Sequence, residues 1–192
     1  MAALPDLPAI AELHAASWQR FYRGALSDDY LERHAHRDRR QLWEMRLSAP
    51  NENQHVFVAE RDSRLVGFAC VYGNQCEHWG SLLDNIHVTL DEQGKGVGRQ
   101  LLLAVVGLCG RQYAEVGLHL WVLQSNVRAQ AFYAQHGATN AGTDVWASPG
   151  GAEVPRFRFS WPNLSAFHNE TANPSIERRS TGKPVAPAHV KR

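Results

Sequence analysis

The chain has 192 residues, 44% of them hydrophobic, enough for one globular domain with a substantial core. Its 20 Lys and Arg nearly balance 19 Asp and Glu, so charge points to neither nucleic acid nor a membrane surface as a general partner. Cys70, Cys76 and Cys109 are odd in number and form no Cys-x-x-Cys pair, which argues against a disulfide framework.

The charge is uneven. Residues 171–192 carry net +4 of the chain's +1, leaving a mildly acidic body of −3 that weakly favours a cationic substrate. Acidic and polar residues appear by position 12 and no long apolar run opens the chain, so neither a signal peptide nor a membrane span is expected. A reducing cytoplasm is the expected compartment. Asn163-Leu-Ser and Asn169-Glu-Thr match the glycosylation pattern by chance on that reading.

Leu7, Ile10, His14, Trp18 and Phe21 recur at helical spacing and predict an amphipathic helix over about 6–22. Ser27-Asp28-Asp29 supplies an N-cap and acidic first turn for a second helical stretch, and 37–47 continues as helix. The runs 54–61 and 64–72 read as a hairpin around Asp62-Ser63, with Gly73-Asn74-Gln75 breaking the second strand. A strand over 82–88 follows, then a glycine-rich turn, then a helix from Val97 that is apolar around much of its circumference. A short β-type run at 117–123 suits a central strand. Residues 126–136 form a helix that Gly137 ends, and strands near 143–147 and 153–161 flank Ser148-Pro149-Gly150-Gly151. The polar, proline-bearing stretch 165–192 is expected to be a poorly ordered basic tail, leaving 1–164 as the domain.

The order is organised around Gln93-Gly94-Lys95-Gly96-Val97-Gly98-Arg99, where a strand passes into a helix. Alternating glycines let several backbone N–H groups converge at a helix N-terminus, a natural anion site for a phosphate or pyrophosphate. A P-loop is excluded because Gly96, not Ser or Thr, follows Lys95. A dinucleotide fingerprint is excluded because Arg99 stands where the third glycine belongs.

Gln93-x-x-Gly96-x-Gly98 resembles the Gln/Arg-x-x-Gly-x-Gly/Ala signature of the GNAT superfamily, the GCN5-related N-acetyltransferases. A second block, Asn126-x-x-Ala129-x-x-Phe132-Tyr133-x-x-x-Gly137-Ala138, resembles that family's Asn-x-x-Ala-x-x-Phe-Tyr-x-x-x-Gly-Phe, with Ala138 in place of the aromatic. The resemblance covers roughly 5–161. It implies an α/β (α+β) fold, a mixed, mostly antiparallel central sheet flanked by helices, with its first strand lost or hidden in residues 1–5. It also implies acetyl-CoA as co-substrate and direct attack by an amine in a ternary complex.

On that resemblance Gly94, Lys95, Gly96, Val97, Gly98 and Arg99 bind the pyrophosphate beside Gln93. Ile86, His87 and Val88 pair with the pantetheine arm, with the thioester carbonyl near the Val88 N–H. Asn126 contacts CoA, and Tyr133 donates the proton to the departing thiolate while Phe132 points elsewhere into the core. Asp84, read as sharing a strand face with Ile86, is the leading general base; His87, Glu77 and His78 are the alternatives. Trp18, Tyr22 and Tyr30 are expected to wall the acceptor site. His34-Ala-His36 has the wrong helical spacing for a shared ligand, so no metal is expected. None of the three cysteines has an evident base, which disfavours a covalent intermediate. The expected acceptor is a primary amine of a small molecule such as a polyamine, amino acid or aminoglycoside-like compound. A protein N-terminus or lysine is the second reading, and a non-catalytic acyl-CoA-binding regulatory module the third. A longer acyl group and a homodimer through the C-terminal strands are compatible with the same residues.

Overall fold

The computed structural model describes residues 1–113, 117–164 and 188–191. Helix α1 (Leu7–Phe21) follows a short 3-10 turn at Leu4–Asp6, and α2 (Asp28–Arg33) begins at Ser27, whose hydroxyl accepts from the Tyr30 N–H. Helix α3 (Ala35–Ser48) leads to β1 (Gln54–Arg61) and β2 (Arg64–Cys76). Asp62 and Ser63 join them with φ of 51° and 61°, the paired left-handed conformations of a two-residue hairpin turn. Then come β3 (Gly80–Val88), α4 (Val97–Gln112), β4 (Leu118–Leu123), α5 (Val127–Gln135), β5 (Thr139–Ala147), β6 (Glu153–Trp161) and β7 (His189–Lys191).

The strands form one sheet in the order β5-β6-β4-β3-β2-β1-β7. Alternation splits its two faces. Val56, Val58, Phe68 and Cys70 pack under α1 and α3 with Ile10 and Trp43, while Phe57, Ala59, Ala69 and Val71 meet Leu101, Leu102 and Val105 of α4 on the other side. All neighbours are antiparallel except β3 and β4, which run parallel and pair only through Ser81–Leu118 and Leu82–His119. Beyond that point the two strands separate, and the sheet opens as a V.

Residues 1–5 hold no strand, so the first strand is lost and not hidden there; Ala2 donates to the Val56 carbonyl at 2.8 Å, and the edge of β1 is taken by β7, through Val58–Lys191, Ala59–Val190 and Glu60–His189. Two other expectations are corrected. Residues 188–191 are therefore part of the sheet and not of a tail, with Lys191 paired to Glu60 at 2.6 Å; residues 165–187 and 192 lie outside the described residues. Gly73-Asn74-Gln75 does not end β2. Asn74 adopts φ 44° and the register to β3 shifts there, so the strand bends and continues.

Candidate active site

The V between β3 and β4 holds a cleft of about 440 Å³. A β-bulge sets its chemistry. Val71 opposes Leu83 and Cys70 opposes Asn85, so Asp84 is the extra residue of β3. Leu83, Ile86 and Val88 consequently face the α4 core, while Asp84 and Asn85 reach Arg46 of α3 on the opposite face, at 2.8 Å and 3.0 Å. Simple alternation had placed Asp84 beside Ile86; the bulge separates them.

The backbone of β3 is turned toward the opening. Thr89 N–H donates to the Val66 carbonyl at 2.9 Å, and bonded pairs alternate along an antiparallel ladder. Phe68 and His87 are then the next bonded pair, which leaves the N–H and C=O groups of Ile86 and Val88 directed away from β2 into the V. The Gln93 side chain donates to the Val88 carbonyl at 3.0 Å, tying the glycine turn to the strand end.

Gly94 and Gly96 have φ of +79° and +86°, and a Cβ at either would meet no atom within 4 Å. The turn is an open cradle facing the first-turn amides of α4, as an oxyanion of a pyrophosphate requires. Gly98 lies against Phe132, whose ring would be 3.5 Å from a Cβ there. Glu92, 5% exposed, holds Lys95 at 3.2 Å and Arg61 at 3.0 Å. Val97 is buried in the core, so only its amide is offered to a ligand. Arg99 lines the cleft with Gln93, Gly94, Gly96 and Gly98.

Across the V, Asn126 caps α5 by accepting from the Ala129 N–H at 3.1 Å, which directs the helix N-terminus and Tyr133 toward β3. The Tyr133 ring packs edge-on against Trp161, whose indole N–H is anchored on the His136 carbonyl at 2.7 Å. Burial raises the Tyr133 hydroxyl well above its ordinary pKa, and Tyr22 adds to the effect, so the phenol stays protonated. Phe132, expected in the core, also lines the cleft.

On the α1–α3 side a second cavity of about 210 Å³ shares Tyr22, Asp84, Asn85 and Trp121–Leu123 with the first. Trp18 and Tyr22 stack at 5.0 Å, and Trp146 meets both edge-on. Tyr30 is not among the lining residues; its hydroxyl donates to Asp38 at 3.0 Å and its ring lies beside Gly150. His87 sits 4.7 Å from the His14 ring, and burial followed by Arg39 lowers it to about 4, so it is neutral and packed against Phe68 rather than poised as a base. Glu77 and His78 are exposed in the β2–β3 turn and line neither cavity. Burial, with Asp84 adding to it, pushes the Cys70 thiol up to about 12, which denies it a thiolate. The sequence reading missed His14, Arg39, Arg46, Trp121, Trp146 and Arg156 as cavity residues. A signal existed for two of them, since Arg39 and Arg46 stand two helical turns apart on one face.

The V-shaped sheet, the unpaired strand backbone on one arm, the open glycine turn at its end and the protonated phenol on the other arm meet in one cleft. The chain belongs to the GNAT acetyltransferase family, whose model matches residues 9–138. Acetyl-CoA is the co-substrate of that family. A Bacillus subtilis (strain 168) protein described as the uncharacterized N-acetyltransferase YuaI is 27% identical over 170 residues, spanning 86% of this chain and 93% of its own. Among solved structures, the PaiA N-acetyltransferase of Thermoplasma acidophilum in complex with coenzyme A is similar in fold. It has TM-score 0.60 and 22% identity, with coverage of 81% of this chain and 94% of that one. The ribosomal-protein-alanine N-acetyltransferase of Brucella melitensis gives TM-score 0.63 and 22% identity, over 84% and 96%.

Proposed function

We propose that the protein transfers the acetyl group of acetyl-CoA to a primary amine of a small molecule by direct attack in a ternary complex. The observation that carries this reading is the meeting of two cavities, one cleft along β3 and α4 and a smaller aromatic cavity, at Tyr22, Asp84 and Trp121. An amine in the smaller cavity faces a thioester lying along the Ile86–Val88 backbone.

The amine nitrogen attacks the thioester carbon, and its C–N bond forms as the carbonyl becomes an oxyanion within reach of the Val88 N–H. Asp84, held at Oδ2 by Arg46, passes the amine's proton to water. The C–S bond then breaks, and the Tyr133 hydroxyl protonates the departing thiolate before regaining a proton from solvent. No covalent enzyme intermediate enters, in keeping with the buried Cys70 thiol. The 210 Å³ cavity favours a small acceptor over a folded protein surface. Among the described residues no helix is long and apolar enough to cross a membrane. Homodimerisation belongs to this reading as well. It is supported by β5, an edge strand exposed along nearly its whole length, and light scattering that finds only monomer removes it.

Initial rates with both substrates varied test the reaction order. Intersecting double-reciprocal lines support a ternary complex, and parallel lines refute direct transfer. Calorimetric titration with acetyl-CoA and CoA tests the cleft itself; absence of binding to both overturns the acetyltransferase reading.

A further inference from the structure

The acceptor cavity is lined by three arginines, Arg39, Arg46 and Arg156, and by a single carboxylate, Asp84. Two of the three cations are already answered. Arg46 holds Asp84 and Asn85, and Arg156 is bound by Asp144 at 2.6 Å. Arg39 makes no ion pair within 4 Å among the described residues, Asp38 acts on it only at longer range, and its buried Nε has no hydrogen-bond partner. Its guanidinium lies 4.0 Å over the Trp18 ring, which Tyr22 stacks against, and it interacts with the Tyr30 hydroxyl.

A second unanswered donor lines the same cavity. The Trp43 indole N–H donates to His14 Nδ1 at 2.9 Å, so the ring proton of the neutral imidazole resides on Nε2. His14 is 1% exposed, and Nε2 has no partner. Burial, then His87, Arg39 and Arg46, hold this imidazole well below its usual pKa, so it remains a neutral donor. The Arg39 Nε–H and the His14 Nε2–H, both buried and without acceptors, ask for the same thing, an oxyanion.

We infer that the acceptor is an amine that also carries a carboxylate, bound by Arg39 and the Nε2–H of His14 while its amino group faces Asp84. The inference rests on the N-acetyltransferase reading and narrows it. It reverses the weak preference for a cationic substrate drawn from the acidic body, because the cavity's lining bears more positive than negative charge. A polyamine would set its remote ammonium groups against these arginines. An amino acid would offer its ammonium to Asp84 and its carboxylate to Arg39.

The test is acetylation of matched pairs: glycine, β-alanine, 4-aminobutanoate and L-phenylalanine, each beside its carboxamide, with spermidine as the polycation. The expected result is kcat/KM for at least one acid roughly tenfold or more above its amide, as loss of a charge-assisted pair implies. In Arg39→Met, which removes the guanidinium from over Trp18 and leaves an apolar side chain, that acid-to-amide ratio falls to near one, chiefly through KM. Arg39→Lys restores part of it. Circular dichroism checks that both variants are folded.

Amides or spermidine turned over as well as the acids overturn the inference, as does an acid preference that Arg39→Met leaves intact. So does a panel without turnover by a protein that binds acetyl-CoA. Failure to bind acetyl-CoA at all is a different result, since it removes the N-acetyltransferase reading beneath.

Discussion

Arg46 Nη1 and Asp84 Oδ2 lie 2.8 Å apart and join α3 to the bulge of β3, where the cleft and the acceptor cavity meet. Both side chains are mostly buried, at 15% and 29% exposure, so losing one partner strands the other. The same guanidinium lies 5.3 Å from the Trp43 ring and 5.6 Å from that of Tyr72, and it donates to Asn85. Arg46 is thus the support that fixes how Asp84 is presented.

Replacing Arg46 by Met keeps the apolar stem and removes the donor. We expect Arg46→Met to lower stability by about 1–3 kcal/mol, since a part-buried carboxylate and Asn85 Oδ1 lose their partner together. Arg46→Met with Asp84→Asn recovers part of the loss, and urea unfolding of the four-member cycle measures the coupling. Strict additivity would show that the pair contributes nothing. For activity, Asp84→Asn lowers kcat about 10²–10⁴-fold if its carboxylate moves the amine's proton; an unchanged kcat excludes it from that step.

The glycine turn makes a contrast between two neighbours. Gly96 has φ +86°, so Gly96→Ala costs about 1 kcal/mol of backbone strain and puts a methyl group into the cradle. Gly98 is helical, with ordinary contact distance to Phe132, so Gly98→Ala folds at least as well as the parent. Calorimetry with acetyl-CoA should show a large loss for Gly96→Ala and a smaller one for Gly98→Ala. Equal affinity in both would mean that the turn does not hold the phosphates.

What could be read from the sequence follows from which signals are local. The amphipathic period from Leu7 to Phe21, the Ser27 cap, the Asp62-Ser63 turn and the glycine-rich strand-to-helix passage are each written within a few residues. The structure places each close to the expected site. The bulge at Asp84 is not local, because an extra residue in β3 shows only in its pairing with Cys70 and Val71. Strand β7 escaped for a similar reason. Three residues with Val190 as the only apolar side chain carry no period, and Ala59 and Glu60 supply the partner edge. Tyr133 was legible through its motif, whereas Phe132 lines the cleft only because α4 brings Gly98 against it. Arg39 and His14 were visible as residues, but their unanswered donors appear only when α1, α3 and the sheet are assembled.

Buried histidines make stability depend on pH in a defined window. Burial, then Arg39, lowers His87 to about 4; burial, then Arg158, lowers His119 to about 4; His14 is depressed for the reasons given above. The unfolded chain protonates these rings near 6.5, whereas the folded one keeps them neutral, so between pH 6.5 and about 4 the unfolded state binds more protons. Stability therefore falls as pH falls through that window, by up to about 1.4 kcal/mol per pH unit for each ring. Urea midpoints at pH 7 and pH 5 measure the slope. In His87→Leu one ring's share should disappear, and an unaltered slope would show that His87 does not titrate out of step with the unfolded chain.

The reach of Tyr133 into catalysis is separable from its packing. Its ring touches Phe132, Phe159 and Trp161, all of which a phenylalanine would also meet, so Tyr133→Phe removes the hydroxyl with little loss of fold. If the phenol protonates the departing thiolate, kcat falls about 10²–10⁴-fold while acetyl-CoA affinity changes little. Because burial raises this hydroxyl, the wild-type enzyme should show no alkaline loss of kcat from Tyr133 up to about pH 10, the ordinary tyrosine value. A thioester with a better leaving group needs less protonation, so an activated aryl thioester should narrow the gap between wild type and Tyr133→Phe. A gap of the same size for both thioesters would assign Tyr133 to binding geometry instead of proton transfer.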